Sequence, residues 1–171
     1  LRFFLRELNS RQFILFLESL TGIDGLIPDP YFMGGGLHIG TKGAHLNTHA
    51  DFNWHHKLQL HRRVNALIYL TPNWKKQMGG ELLLKGDKKE ISYLPNFNSL
   101  VVFTTTSKSF HGHPKPLNVN KGIYRRVLNL YYYTADRPEK EKSLPHFTTY
   151  NQKDKKNIKI NNPFSIKASP W

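Results

Sequence analysis

The chain has 171 residues, 39% of them hydrophobic and 13% aromatic, which suits one packed domain and excludes global disorder. It contains no cysteine, which excludes disulfides, thiolate metal sites and cysteine nucleophiles, so any metal ion must be held by His, Asp or Glu. No apolar run approaches the roughly 18 residues of a membrane span, and the formal net charge of +13 favours negatively charged partners.

The first predicted element is a helix, and the elements after it have the pattern of a β-protein. Residues 10–21 carry an apolar stripe, with Asn9 or Ser10 suited to the N-cap and Gly22 to the C-terminal end. A loop rich in Pro and Gly follows. Short runs of branched and aromatic residues, separated by Gly, Pro and Asn, then predict strands at residues 43–48, 63–70, 81–85, 99–105 and 126–134. This spacing favours a mainly β sandwich or jelly roll with a flanking N-terminal helix.

The two ends of the chain differ from the part between them. The N-terminal stretch is interrupted by charged residues and lacks the pattern of a signal peptide, so we expect a cytoplasmic location. From residue 137 the chain is rich in Lys, Asn and Pro and shows no period. We therefore divide the chain into a domain at residues 1–136 and an irregular basic extension at residues 137–171. The extension either wraps on the domain through its aromatic residues or is a disordered tail.

The tripeptide His49-Ala50-Asp51 is the first feature that indicates chemistry. Residues two apart on an extended segment face the same side, so His49 and Asp51 can bind one metal ion. A third ligand from a distant strand would complete a two-His-one-carboxylate site, which is typical of iron(II) oxygenases and leaves three coordination positions open. The motif alone is weak evidence, because a chain with nine His and twelve acidic residues also shows it by chance.

Two later features strengthen the metal hypothesis. Residues 109–114 (Ser-Phe-His-Gly-His-Pro) follow a predicted strand and offer His111 or His113 as the third ligand. Arg125 and Arg126 open the last, apolar and aromatic strand, where an arginine is unfavourable to bury without an anion and a carboxylate is its natural bidentate partner. The alternative is that both arginines face solvent at a strand edge.

The remaining histidines and aromatic residues have simpler interpretations. His55, His56 and His61 are expected on the surface or in a substrate cleft. The run Tyr131-Tyr132-Tyr133 is expected in the core, because alternate strand positions fill the interior.

The order of the motifs resembles a known family. Between about residues 33 and 137 the chain carries His-x-Asp, Arg-Arg-Val-Asn-x-Leu-Ile-Tyr-Leu, Trp, Gly-Gly-Glu-Leu, Pro-x-Phe-Asn, Val-Val-Phe, Phe-His-Gly and an Arg before Tyr-Tyr-Tyr. This order resembles the prolyl-4-hydroxylase-like branch of the 2-oxoglutarate and iron(II)-dependent oxygenases. The resemblance implies a double-stranded β-helix, which is a cupin-like jelly roll, with a supporting N-terminal helix.

The resemblance also implies the roles of individual residues. His49, Asp51 and His111 correspond to the iron ligands. Arg126, with Arg125 as the alternative, corresponds to the residue that binds the far carboxylate of 2-oxoglutarate, and Tyr69 supports the same carboxylate. The implied cofactor is Fe(II), with 2-oxoglutarate and dioxygen as co-substrates and ascorbate as a supporting reductant.

The implied function is hydroxylation of an unactivated C–H bond with release of succinate and CO2. A prolyl or other peptidyl residue is the expected target, and small molecules stay open as substrates. Asp51 favours hydroxylation over halogenation, because the related halogenases have a small residue at that position. One alternative is a nucleic-acid-directed oxygenase of the same superfamily, which the charge allows but the Tyr131–Tyr133 run does not favour. The other is a non-enzymatic, cupin-like metal-binding module.

Overall fold

The structure is a computed structural model that describes residues 2–86 and 89–151. Its helices are α1 (Arg2–Leu8) and α2 (Arg11–Thr21), with 3-10 turns at Lys76–Met78 and Glu139–Glu141. Its strands are β1 (Ile27–Pro28), β2 (Gly36–Gly40), β3 (Leu46–Ala50), β4 (Trp54–His55), β5 (Leu60–Tyr69), β6 (Leu82–Lys85), β7 (Glu90–Tyr93), β8 (Leu100–Thr104), β9 (Phe110–His113), β10 (Arg125–Thr134) and β11 (Thr149–Tyr150). None of the described helices is long and apolar enough to cross a membrane.

The predicted helix is present as α2, with the expected ends. The Ser10 side chain accepts a hydrogen bond from the backbone N–H of Phe13, which caps the N-terminus. Gly22 follows the last turn at φ 68°, and its N–H donates to the Glu18 carbonyl. Such a left-handed residue ends a helix with little strain only when it is glycine. The preceding α1 was not predicted, since it has two turns and buries only Leu8.

Two antiparallel sheets form the jelly roll that the sequence predicted. In the larger sheet β10 pairs with β5 on one side and with β1 and β2 on the other, while β4 and β8 pair with the far side of β5. In the smaller sheet the order is β11-β3-β9-β6-β7. The long central strands β5 and β10 therefore carry both the core and one wall of the space between the sheets.

Alternation along β5 and β10 divides their residues between two apolar clusters. The cluster beneath the helices contains Leu17, Val64, Ala66, Leu128, Leu130 and Tyr132. The cluster on the opposite face of the larger sheet contains Leu67, Tyr69, Leu82 and Val127. Because Val127 faces the inside of the roll, the residues at even spacings from it on β10 also face inward.

An irregularity in β5 changes which arginine faces the interior. On β10, Tyr132 lies opposite Val64 and Tyr133 lies opposite Arg62, so Arg63 is an extra residue in β5. A bulge of this kind inserts one residue into a strand and changes the face of the sheet to which the side chains before it point. Arg62 consequently lies on the same face as Asn65, although the two residues are three apart.

Residues 142–151, which we call the C-terminal strap, pack on the domain after β10. The buried Asn53 side chain donates to the Ser143 hydroxyl (2.9 Å) and the Leu144 carbonyl (3.0 Å), and accepts from the His146 N–H (2.8 Å). The strap ends in β11, which adds a strand beside β3. The boundary at residue 136 stays a prediction, and residues 152–171 of the predicted extension lie outside the described residues.

Candidate metal and co-substrate site

Three side chains that could hold a metal ion meet at the edge where β3 pairs with β9. His49 on β3 lies directly opposite His111 on β9, and their ring centroids are 4.5 Å apart. Asp51 follows the last residue of β3 and faces both rings. One ligand atom from each of the three residues lies within 4.8 Å of the others. Two imidazoles and one carboxylate in this arrangement match the donor set of a non-haem iron site.

The two imidazole rings are oriented as metal ligands require. The Nδ1 atom of His49 is 2.9 Å from the Asn47 carbonyl, and that of His111 is 3.4 Å from the Ser109 carbonyl. Both Nε2 atoms point at Asp51, at 3.6 Å from Oδ1 for His49 and 3.2 Å from Oδ2 for His111. A hydrogen bond from Nδ1–H to a carbonyl fixes the tautomer that leaves Nε2 free to bind metal.

Asp51 is held in its charged form by a buried arginine. Burial by itself would raise the pKa of Asp51, but the charge of Arg62 and hydrogen bonds with His111 and His49 hold that pKa well below its usual range. Arg62 Nη2 lies 2.8 Å from Asp51 Oδ2. Sequence reasoning missed this pair, because Arg62 would face away from Asp51 in a regular strand.

The metal-ligating residues line one side of a cavity of about 410 Å³ between the two sheets. The inner face of β10 lines another side, through Arg125, Val127, Asn129 and Tyr131. The strap adds a further wall with Thr148 and Tyr150, and the Tyr150 ring lies 5.6 Å from the His49 ring. The strap residues of the cavity were not predicted, because nothing in the sequence relates them to β3.

Arg125, and not Arg126, is the arginine that faces this cavity. Arg125 is 6% exposed, and its Nε donates to the Gly80 carbonyl at 3.0 Å. The Arg126 guanidinium instead lies 5.1 Å from the centre of the Tyr124 ring and does not line the cavity. Neighbouring residues of a strand face opposite sides, so only one of the two can point inward. The position of Arg125 therefore favours it over Arg126, as the alternative that the sequence had left open, while the carboxylate-binding role itself stays a prediction.

The comparison with protein families agrees with this donor set. The sequence profile of the 2OG-Fe(II) oxygenase superfamily matches residues 35–133. The chain belongs to this superfamily. The match confirms at this level the resemblance that the motifs had indicated, and it implies Fe(II), 2-oxoglutarate and dioxygen as the reaction partners. A search of curated protein sequences finds no match.

Among solved structures, three that are similar to this member of the superfamily are prolyl hydroxylases. A prolyl 4-hydroxylase from Phytophthora capsici is 20% identical over 76% of this chain and 42% of its own, with a TM-score of 0.55, and supports the fold. A prolyl hydroxylase from Trichoplax adhaerens, in complex with a hypoxia inducible factor oxygen degradation domain peptide fragment, is 28% identical over 57% of this chain and 41% of its own, with a TM-score of 0.46. A Pseudomonas putida prolyl-4-hydroxylase is 24% identical over 57% of this chain and 49% of its own, with a TM-score of 0.45. The chain spans less than half the length of each of them.

The Arg125 end of the oxygenase cavity fits an anionic, hydrogen-bonding co-substrate. The Arg125 guanidinium lies 5.2 Å from the centre of the fully buried Tyr69 ring. The Tyr69 hydroxyl and His113 Nδ1 are buried, and neither atom has a hydrogen-bond partner of ordinary geometry within the described ranges, although the Tyr69 hydroxyl interacts with Arg125. Buried polar atoms are normally paired, so these suit a polar ligand. Burial and the nearby charge of Arg125 lower the pKa of His113 to about 3, so this imidazole is neutral at physiological pH.

Two of the simpler expectations need correction. His55 is fully buried, with Nε2 3.4 Å from Asp29 Oδ1, while its Nδ1 accepts a hydrogen bond from the Leu58 N–H. It therefore ties β4 to the loop after β1, and it lies neither on the surface nor in the cavity. Of the three tyrosines expected in the core, Tyr132 and Tyr133 are fully buried, whereas Tyr131 lines the cavity.

Proposed function

We propose that this chain is a 2-oxoglutarate-dependent dioxygenase that hydroxylates an unactivated C–H bond of a prolyl or other peptidyl residue. One observation carries the proposal: a single cavity contains a His-Asp-His cluster suited to iron(II) and, on its β10 wall, the buried cation Arg125. A cation site and an anion site sharing one space match a reaction that needs a metal ion and a dicarboxylate together. Membership of the superfamily supports the same assignment.

The side chains of this site have separate tasks. When bound, iron(II) and 2-oxoglutarate supply the activation of dioxygen, with release of succinate and CO2. His49, Asp51 and His111 would hold the metal ion. Arg125 would bind the far carboxylate through its forked N–H groups, and the Tyr69 hydroxyl would donate a further hydrogen bond to it.

A peptide is the substrate class that the surroundings of the cavity favour. Several large apolar side chains that line the cavity are also partly exposed, namely Ile39 (57%), Leu46 (38%) and Tyr150 (46%). An apolar rim suits the side chains of a peptide better than the backbone of a nucleic acid. The net charge of +13 further favours an acidic peptide. The prolyl target rests on the resemblance of the motifs to the prolyl-4-hydroxylase-like branch.

The test is a succinate assay with purified protein, Fe(II), 2-oxoglutarate and ascorbate. Proline-containing peptides, free proline and oligonucleotides are compared as substrates, and products are identified by mass spectrometry. We expect peptide-stimulated succinate formation, with one oxygen atom added to the peptide. Stimulation by oligonucleotides alone would favour the nucleic-acid-directed alternative. If no succinate forms above the metal-free background with any substrate class, the enzymatic assignment is wrong and the cupin-like binding module is favoured.

A further inference from the structure

Asp51 is held by two residues that are not metal ligands. Its Oδ2 atom accepts hydrogen bonds from Arg62 Nη2 and from Asn65 Nδ2, both at 2.8 Å. Arg62 Nε also donates to Asn65 Oδ1 at 3.0 Å, so the three side chains form a closed ring of hydrogen bonds. Arg62 and Asn65 are each held at two atoms, and their two bonds to Asp51 converge on Oδ2, so the ring fixes the position of that oxygen more firmly than either bond alone would.

The arginine in this ring has little freedom to move. Arg62 is 1% exposed, and its guanidinium packs against two aromatic rings, 3.5 Å from the centre of Tyr131 and 4.5 Å from the centre of Phe52. The bulge at Arg63 places Arg62 and Asn65 on one face of β5. The position of the ring is therefore set by the backbone of a central strand and not by a loop.

The hydrogen bonds distinguish the two oxygen atoms of Asp51. A carboxylate oxygen has two lone pairs, and the two donors occupy both lone pairs of Oδ2. Oδ1 accepts from neither Arg62 nor Asn65. Each oxygen also faces one imidazole, Oδ1 at 3.6 Å from His49 Nε2 and Oδ2 at 3.2 Å from His111 Nε2, so the two extra donors on Oδ2 are what distinguish the oxygens. We propose that Arg62 and Asn65 are positioning residues that restrict Asp51 to metal binding through Oδ1 alone. This inference rests on the proposed function and deepens it.

The consequence concerns the number of open coordination positions. Two imidazoles and one carboxylate oxygen would leave three positions open on a six-coordinate metal ion, which is enough for a chelating keto acid and dioxygen. If both Asp51 oxygens bound the metal ion, one of these positions would be lost. The ring would therefore favour 2-oxoglutarate binding without touching the co-substrate.

The test compares variants loaded with Mn(II) in place of iron. In Asn65→Leu one donor to Oδ2 is lost at similar side-chain volume, and in Arg62→Lys the charge stays but the forked geometry is lost. We expect the Kd for 2-oxoglutarate of both Mn(II)-loaded variants to rise about tenfold, in the range seen for changes around metal ligands. Arg63→Lys is the matched control, because Arg63 is a buried neighbour that pairs with Glu141 and should leave this Kd unchanged.

A spectroscopic measurement separates positioning from a general loss of structure. Visible absorption of Co(II)-loaded protein depends on the number of ligands, so the spectra of Asn65→Leu and Arg62→Lys should differ from that of the wild type before 2-oxoglutarate is added. The Arg63→Lys spectrum should not differ. If the variants do not fold, the wild type alone provides the test. Its infrared carboxylate bands are compared before and after Mn(II) binding, and a change typical of a carboxylate that binds through both oxygens would overturn the inference.

The outcomes distinguish this inference from the function on which it rests. Wild-type protein that binds neither Mn(II) nor 2-oxoglutarate would contradict the proposed function itself. Wild-type protein that binds both, together with folded variants whose Kd and Co(II) spectra match the wild type, would contradict only the role of Arg62 and Asn65.

Discussion

The two ends of the cavity differ in how completely the protein hydrogen-bonds the groups that would bind a ligand. At the metal end, Asp51 is hydrogen-bonded by Arg62 and Asn65, and both histidine ligands are oriented by backbone carbonyls. At the other end, Arg125 bonds to one carbonyl, and the nearby Tyr69 hydroxyl lacks a hydrogen-bond partner of ordinary geometry in the described part of the chain. One end is built in advance for a cation, whereas the other has polar groups that a ligand would complete.

The charges of the two ends lead to the same conclusion. The Asp51 carboxylate offsets the Arg62 cation within the metal end. Burial lowers the pKa of Arg125, and within residues 2–86 and 89–151 no carboxylate forms an ion pair with it. A buried cation without an anion is unfavourable. A carboxylate ligand at this end would therefore form the ion pair with Arg125 that the protein itself does not supply.

The largest effect is expected from removing the carboxylate of the metal end. Asp51→Ala takes away one of three ligands and leaves Arg62 buried without its partner. We expect metal-dependent succinate formation to fall by about 100-fold or more and stability to fall by about 3–5 kcal/mol. The measurements are the succinate assay and denaturant unfolding. The matched control is Asp136→Ala, which removes an exposed carboxylate, and equal turnover of the two variants would contradict the ligand assignment.

A smaller loss is expected at the other end of the cavity. Arg125→Met removes the charge and the forked donors but keeps an apolar side chain. Losing a charged hydrogen-bonded pair in a buried site costs about 2–5 kcal/mol, so the Kd for 2-oxoglutarate should rise about 100-fold while metal binding persists. Arg126→Met is the control and should bind 2-oxoglutarate normally in the same titration. The reverse result would restore Arg126 to the role first predicted for it.

Tyr69→Phe removes only the hydroxyl group from the Arg125 end of the cavity, so it tests the difference between the two ends with a smaller change. Within the described residues the hydroxyl has no hydrogen-bond partner of ordinary geometry and interacts only weakly with Arg125, so the ligand-free variant should be close to the wild type in stability. With ligand one hydrogen bond is lost, and the affinity for 2-oxoglutarate during turnover should fall about three- to tenfold. Thermal unfolding and steady-state kinetics measure the two effects. Marked destabilisation without ligand would show that the hydroxyl has a structural partner.

The smallest effect on ligand binding is expected from the strap. Asn53→Ala removes the side chain that bonds to Ser143, Leu144 and His146. We expect a loss of about 1–3 kcal/mol in the free energy of unfolding and faster proteolysis of residues 142–151. The Kd for 2-oxoglutarate should change by less than about threefold, because neither end of the cavity contains Asn53. A much larger change would assign the strap to the co-substrate site.

The sequence predicted the features that depend on local pattern. The helix with Ser10 and Gly22, and strands overlapping β3, β5, β6, β8 and β10, follow from periodicity and turn residues. His49 and Asp51 could be placed together because the two-residue spacing of a strand puts them on one face. The shorter strands were missed, since β1, β4 and β11 have two residues each and too little sequence for any period.

The features that the sequence did not predict depend on the phase of the strands and on contacts between distant residues. Arg125 and Arg126 are neighbours, so the choice between them depends on which face of β10 points inward, and that is set by packing against β2 and β5. Arg62 was missed because the bulge at Arg63 reverses the alternation of β5. The extension was expected to wrap on the domain through aromatic residues such as Tyr150, but the place of Tyr150 in the cavity was not predicted, because it depends on the pairing of β11 with β3.

The most direct test of the two-ended cavity is a crystal structure with Mn(II) and 2-oxoglutarate bound. We expect an anomalous scattering peak between His49, Asp51 and His111, with the keto acid on the metal ion and the far carboxylate on Arg125. A metal ion bound elsewhere, or a co-substrate carboxylate on Arg126 with Arg125 unengaged, would contradict this assignment.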